Sequence, residues 1–427
     1  MTQNDLTRDE ALAADAVDAL HSFRSQFALP AARDGLSNIY LCGHSLGLAP
    51  RSALTTLSEE FADWMQLGVA GHEVARRPWV TYAERLAPAL ATVVGASPQD
   101  VIAMNSLSVN LHLMLANFYQ PSSARRKILI EAGAFSSDRH AVASQIAWHG
   151  LDPQQELIEL APRSGEGSLR AEDIDAAIGH LGASLALVLW PGVQFRTGQA
   201  FDTARVVRSA RSVGAAAGLD HAHAIGNIPL QLAADAPDFA VWCSYKYLNA
   251  GPGAIGGCYI HSKHSDDPRL RGWWGHEGAT RFRMSPDFVA AAGAAAYALS
   301  NPPIFSAAPL LASLHIFGAA GLPALRKKSI ALTAMLERVL DTIGWYHLTM
   351  VTPRHPAERG CQLSVRVRGG AAACKALYAA LSAQQVSCDL REPDLLRFAP
   401  VPLYNSFEDV WTFGERLRTA LHSLGGP

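Results

Sequence analysis

Residues 215–220 read AAAGLD and run directly into His221-Ala222-His223-Ala224; some twenty residues later the chain reads Ser244-Tyr245-Lys246-Tyr247, with Gly251-Pro252-Gly253 just beyond. This stretch decides the fold. It holds three short apolar runs, at 215–220, 239–243 and 255–260, separated by polar turns. Short apolar runs bounded by turn residues read as strands buried on both faces. Working outward, 101–104, 127–130 and 185–190 are further strand candidates, and 108–118 has helical spacing. Strands alternating with helices predict an α/β fold whose mostly parallel sheet is covered on both faces.

The flanks add two smaller parts. Residues 5–27 carry helical spacing (Leu12, Val17, Leu20, Phe23), and 38–42 form a short apolar run ending in glycine, read as an extended arm. Between 52 and 95 apolar residues recur at three and four, a helix pair interrupted at 71–78. Beyond Pro302-Pro303 one long helix is expected over 307–340, then strands at 361–367 and 395–399. The expected organisation is 1–50 as N-terminal helix and arm, 51–305 as a large α/β domain, and 306–427 as a smaller C-terminal α+β domain.

Composition narrows the function classes. The 427 residues are 49% hydrophobic and 17% charged, the balance of a compact folded protein. With 36 basic against 38 acidic residues the net charge is -2, too little to gather nucleic acid or an anionic membrane surface. No apolar run approaches the roughly 20 residues that cross a bilayer. The first ten residues are polar and acidic where a signal peptide would be basic and then apolar, so a cytoplasmic location is expected. The six cysteines contain no C-x-x-C pair and are expected to be reduced, mostly core thiols.

Two textual motifs do not survive their context. Gly43-His44-Ser45-Leu46-Gly47 fits the G-x-S-x-G nucleophile elbow, yet the forty residues before it cannot supply the strands and oxyanion loop an elbow needs. Gly251-Pro252-Gly253-Ala254-Ile255-Gly256 fits a dinucleotide fingerprint but opens a strand instead of ending one. His221 with His223, or His261 with His264, lack a third ligand at sensible spacing, and no metal is expected.

Lys246 is one of only six lysines, so a lysine in a glycine-bounded, aromatic-flanked turn points to chemistry that arginine cannot do. Lysine can lose its proton and form a Schiff base. An acid at the end of one strand and a lysine just past the next is what pyridoxal phosphate (PLP) requires, the acid holding the pyridine nitrogen protonated. The bland alternative makes Asp220 a turn cap and Lys246 a surface residue. A phosphate cradle belongs at a helix N-terminus, and Asn105-Ser106-Leu107-Ser108 lies at one; Ser108 is equally readable as a plain N-cap.

From about Tyr40 to Asn405 the chain resembles the kynureninase family of fold-type-I PLP enzymes. The resemblance rests on ordered blocks: YLCGHSLGLAP (40–50), GHEVARRPW (71–79), MNSLSVNLHLML (104–115), AFSSD (134–138), DHAHAIGNIP (220–229), WCSYKYLNAGPG (242–253), GWWGHEGATRFRM (272–284), SNPPI (300–304) and RFAPVPLYN (397–405). Class-V aminotransferases and cysteine desulfurases share the aspartate and lysine but lack the GWWGH and APVPLYN segments.

The resemblance implies Lys246 as the Schiff-base lysine, Asp220 at the pyridine nitrogen, Phe135 stacked on the ring with Asp138 nearby, and His223 as a support. Leu107 and Ser108 would give the phosphate its helix-end contacts, with Tyr245, Trp273 and Asn301 completing the cofactor site. Arg397 would clamp the carboxylate of a small amino-acid substrate through a bidentate pair, while His72 and Asn301 would face its aromatic ring. A homodimer is implied, part of each site coming from the neighbouring subunit. The implied reaction is hydrolysis of the Cβ–Cγ bond of L-kynurenine or its 3-hydroxy form, with Lys246 moving the α-proton and Tyr245 relaying another. The alternatives are a ring-modified kynurenine, a desulfurase, or a non-catalytic interaction protein; the last would be expected to have lost Lys246, Asp220 or Arg397. The sequence departs from the usual pattern at Cys42 and His44 (aspartate and asparagine), His221 (leucine), Ser136 (proline) and Ser108 (threonine).

Overall fold

A computed structural model describes residues 6–265, 268–344 and 346–425. Its centre is a seven-stranded sheet: β1 (Val101–Ala103), β2 (Lys127–Glu131), β3 (Leu157–Leu160), β4 (Leu185–Pro191), β5 (Ala216–Asp220), β6 (Phe239–Trp242) and β7 (Gly257–Ile260), in the spatial order β1-β7-β6-β5-β4-β2-β3. The four pairings from β6 to β3 are parallel, and β7 runs antiparallel to both its neighbours. The central strands read as apolar runs because both faces are covered: every residue of β4 from Leu185 to Trp190 is buried. Gly218 in β5 is required for close packing, since a Cβ there would sit 2.1 Å from the Phe239 ring. The edge strand β3, only partly buried, was not anticipated.

Helices α2 (Tyr82–Val94), α3 (Leu107–Phe118) and α4 (Ser136–Trp148) pack on this sheet, and α1 (Arg51–Leu67) packs on the helix at Ile304–Ala320. The parallel strands point one end the same way, so Glu131, Pro191, Asp220 and Trp242 close β2, β4, β5 and β6 at a common edge. In open α/β sheets that carboxyl edge is where ligands bind.

The single helix expected over 307–340 is two: α5 (Ile304–Ala320) and α6 (Leu322–Ile343), bent by 82°. Gly321 takes φ +74° at the break and Pro323 stands in the first turn of α6, where its missing N–H costs nothing. The apolar side of α5 belongs to the sheet domain: Ala307, Leu310, Leu314 and Phe317 are buried in the same core as Leu219 and Trp242. The boundary at 305/306 therefore falls inside the first turn of α5, a helix that packs with the larger part. Among the described residues no single helix is long and apolar enough to cross a membrane.

A second, antiparallel sheet is built from β8 (Leu348–Met350), β9 (Leu363–Val367), β10 (Asp389–Arg391) and β11 (Leu395–Phe398), in the order β8-β9-β11-β10. It packs on α6 and on α7 (Phe407–Ser423), whose Ser406 and Asp409 form a capping box. The N-terminal segment joins this unit. Ala11, Ile39 and Leu41 lie in its core, and Ile39–Tyr40 pairs in parallel with Val386–Ser387. The helix expected over 5–27 is shorter, Arg8–Ala16 with Thr7 as N-cap, followed by a 3-10 turn at His21–Gln26; Asp5 lies outside the described residues. Asp18 turns the chain between them, accepting from the Leu20 N–H and pairing with Lys328 at 2.7 Å.

Candidate active site

Lys246 follows β6 in a tight turn closed by the Asn249 N–H on the Lys246 carbonyl and the Ala250 N–H on Ser244; Asn249 takes φ +54° to make it. The arm from residue 40 to 50 lies against this turn. The Gly47 N–H donates to the Tyr245 carbonyl at 2.9 Å, and a Cβ on Gly47 would lie 2.2 Å from the Lys246 carbonyl oxygen. The glycines of the false nucleophile elbow are thus contact points. Lys246 is buried, and among the described residues its Nζ has no hydrogen bond or ion pair. The nitrogen sits 5.8 Å from the Phe135 ring centre and 5.6 Å from that of Tyr245.

One pocket gathers Leu107, Glu131, Phe135, Asp138, Phe195, Asp220, His223 and Lys246. Of the cofactor and catalytic residues expected from sequence, Leu107, Phe135, Asp138, Asp220, His223 and Lys246 therefore meet. Burial raises the Asp138 and Asp220 carboxyls, and the charge of Lys246 draws both back down. The Asp220 Oδ1 also accepts from the Ala222 N–H at 2.8 Å. Burial lowers His223 and His221, the latter to about 3, so both imidazoles are neutral. His223 Nδ1 has no hydrogen-bond partner. Tyr245 is lifted above its ordinary value by burial, and its hydroxyl stays protonated at neutral pH.

The expected anion cradle involves two helix ends. Ser108 is not the N-cap of α3; Ser106 is, without a side-chain bond, and Ser108 lies one position inside the helix after Leu107. Its hydroxyl meets that of Ser137, in the first turn of α4, at 2.7 Å. Two N-termini with free backbone N–H groups therefore converge, which strengthens an anion site. The residues flagged for metal have other uses: His261 Nδ1 accepts from the Lys263 N–H, and His264 Nε2 contacts Asp238 at 2.8 Å.

Arg397, in β11, is fully buried and is not a free two-pronged clamp. Its Nη2 donates to Asp389 Oδ2 and its Nη1 to the Phe195 carbonyl, leaving Nε without a partner. A bound carboxylate must use the Nε edge or displace Asp389.

His72, Trp273 and Asn301 do not reach the Lys246 pocket. They line a separate cavity with Val69, Trp274 and Phe282, and no residue lines both. His72 and Asn301 are exposed there, and His72 packs edge-on to Trp79 at 5.4 Å. Within one chain the expected aromatic-ring contacts and the lysine are apart.

Sequence reading missed Glu131, Gln194, Phe195 and Asp389. Glu131 ends β2 as Asp220 ends β5, a signal that was present; burial pushes its carboxyl up to about 8, against a smaller pull downward from Gln194. Gln194 Oε1 accepts from the Arg196 and Thr197 N–H groups and Nε2 donates to the Gly133 carbonyl, so it ties the Phe135 turn to the Phe195 turn. Nothing local in the sequence announces that tie.

Comparison with known proteins places this geometry. The family profile described as kynureninase C-terminal domain matches residues 325–417. The kynureninase of Xanthomonas campestris pv. campestris (strain B100) is 53% identical over 421 residues, covering 98% of this chain and 99% of that protein. Among solved structures, a cysteine desulfurase from Escherichia coli superposes with a TM-score of 0.75 at 18% identity, covering 95% of this chain and 99% of that one. A variant of C-DES with glycine covalently linked to its PLP cofactor gives 0.75 at 18%, covering 89% and 96%. These two likenesses establish the fold.

Proposed function

The chain belongs to the kynureninase family, and from that premise we propose that it hydrolyses the Cβ–Cγ bond of L-kynurenine or 3-hydroxy-L-kynurenine, giving anthranilate or 3-hydroxyanthranilate and L-alanine. The observation that carries the proposal is the unpaired Lys246 Nζ in one pocket with the Asp220–Asp138 pair. Pyridoxal phosphate is the cofactor, and the residues present fit it. The Lys246 amine is free to bond its aldehyde, the ends of α3 and α4 offer N–H groups to its phosphate, and the Asp220 carboxylate suits a protonated ring nitrogen. When bound, the cofactor supplies the electron sink for charge that develops at the substrate's α- and β-carbons.

Each residue then has a task. Lys246 Nζ would take the α-proton. Asp220 would hold a proton on the ring nitrogen of the bound cofactor, and Phe135 would cover its ring. Tyr245, kept protonated by burial, can donate its hydroxyl proton. Arg397 would take the substrate carboxylate on its Nε edge, which is buried and has no partner. Water adds to the γ-carbonyl, and the acyl group leaves from the β-carbon as the arylcarboxylate.

The separate cavity of His72, Trp273 and Asn301 supports a homodimer in which each copy lends that cavity's side chains to the other's lysine pocket. Exposed Phe61, Trp64, Met65, Val69, Trp273 and Phe282 offer apolar surface for such a contact. We further propose that the 3-hydroxy substrate is preferred. No observation favours a desulfurase: burial raises the Cys243, Cys258, Cys361 and Cys388 thiols, the reverse of an activated nucleophile. Incubating the protein with kynurenine and 3-hydroxykynurenine, and identifying the arylcarboxylate and alanine, tests the reading; borohydride should fix the pyridoxyl group on Lys246. Absence of either product, or label on another lysine, would overturn it.

A further inference from the structure

We propose that His44 is a positioning residue of the substrate-carboxylate pocket, acting through Asp389 on Arg397. The inference rests on the reading that Arg397 takes the substrate carboxylate. His44 is 0% exposed, and neither ring nitrogen has a hydrogen-bond partner. Nε2 lies 3.5 Å from Asp389 Oδ2, the same oxygen that receives Arg397 Nη2 and stands 3.0 Å from Arg391 Nε. Three nitrogens from three segments thus lie around one carboxylate oxygen, and Arg397 Nη2 is the one hydrogen-bonded to it.

The arm holds His44 in that place. Leu41 donates to the Ser387 carbonyl and accepts from the Ala399 N–H, so the arm is stitched to the neighbours of both Asp389 and Arg397. The Ser45 and Leu46 N–H groups close a turn on the Cys42 carbonyl. A Cβ on Gly43 would meet the Tyr404 hydroxyl and Val401 at 2.4 Å, so the backbone beside His44 has no room to shift. Burial first, then the charges of Arg397, Arg391 and Lys246, keep the imidazole neutral. A neutral ring has one N–H, and a proton on Nε2 points it at Asp389. With His44 and Arg391 beside it, Asp389 fixes the guanidinium plane from one side while the Phe195 carbonyl fixes Nη1. The Nε edge is what remains for a ligand.

The test uses the holoenzyme, with L-alanine as an unreactive probe of the carboxylate pocket, its dissociation constant read from the cofactor's visible absorbance. His44→Leu should weaken L-alanine binding about five- to tenfold, the size of one hydrogen bond to a charged group, with the loss in KM for kynurenine and not in kcat. His44→Gln, which restores an N–H at similar reach, should recover most of it. Arg397→Lys should weaken binding more, and adding His44→Leu to it should cost nothing further. If Arg397→Lys leaves L-alanine binding unchanged, the carboxylate reading falls. If Arg397→Lys weakens binding but His44→Leu does not, or the two losses multiply, or His44→Gln is as impaired as His44→Leu, only the His44 role falls. Should His44→Leu fail to fold, Asp389→Asn removes the same link and should show a similar loss; unchanged L-alanine binding there overturns the proposal.

Discussion

Asp138 and Asp220 share the wall of the Lys246 pocket as two buried carboxyls whose charges act on each other. Two carboxyls so placed resist ionising together, and one tends to keep its proton. Burial raises both, Asp138 the further, while Asp138 and Lys246 draw Asp220 back, which favours the charge on Asp220. That is the charge a protonated pyridine nitrogen needs.

The two residues should therefore fail differently. Asp220→Asn removes the charge, and turnover should fall by roughly three orders of magnitude while borohydride still traps the cofactor on Lys246. Asp138→Asn leaves the Asp220 charge in place and should cost about tenfold or less. Measuring kcat/KM for both decides the assignment; the opposite order would put the charge on Asp138.

Gly47 gives a second prediction. A methyl group there would press on the Lys246 carbonyl and on Asn249, the turn that aims the lysine. Gly47→Ala should cost about 1 to 3 kcal/mol of stability by overpacking and should lower kcat more than it weakens cofactor binding. Gly43→Ala, whose Cβ meets Tyr404 and Val401 and not the Lys246 turn, should disturb the cofactor's absorbance less. Equal spectra and equal kcat losses would remove the Gly47 contact from the account.

What sequence could show follows from what is local. Asp220 and Lys246 were legible because each ends or follows an apolar run, and such runs are strands whatever surrounds them. Gly321 was hidden inside a continuous apolar stretch, where periodicity runs on through the bend between α5 and α6. The hold of Asp389 and the Phe195 carbonyl on Arg397 joins segments far apart in the chain, and only packing creates it. Position in a pattern assigned Trp273 and Asn301 to the cofactor site and His72 and Asn301 to the substrate's ring, but a pattern carries no information on which copy of a chain would supply a residue.

That division predicts complementation. Lys246→Ala and Trp273→Ala copies, each inactive alone, should regain about a quarter of normal activity when refolded together, because half the dimers are mixed and each has one intact site. Two inactive proteins that stay inactive on mixing would place each full site within one chain.

His221 offers a stability test. Both its ring nitrogens are buried without partners, and burial holds it down to about 3. Unfolded, it gains a proton below about 6.5, while the folded state does not until far lower pH. The unfolded state then binds more protons, so stability is lost as pH falls through 6.5 and below, at about 1.4 kcal/mol per unit. His221→Leu removes that slope and the unpaired nitrogens. It should raise stability by about 1 kcal/mol at pH 7.5 and by clearly more at pH 5.5, read from denaturant melts. An equal gain at both would show that ionisation is not the cause.

Ring choice is the last and finest prediction. His72 and Asn301 line one cavity with Trp273, and both can hydrogen-bond a 3-hydroxyl that plain kynurenine lacks. A pocket that pairs with a substrate hydroxyl rejects the analogue without it, because its own polar groups are left unpaired at about 1 to 3 kcal/mol each. We expect 3-hydroxykynurenine to be favoured about tenfold or more in kcat/KM. Asn301→Ala should narrow that ratio by harming the hydroxylated substrate more than the plain one. The competing account is that Asn301 only shapes the turn before Pro302, and it makes a different forecast: equal losses on both substrates. Equal losses, or an intact enzyme that favours plain kynurenine, would end hydroxyl recognition as an explanation while leaving Lys246 and Asp220 in their roles.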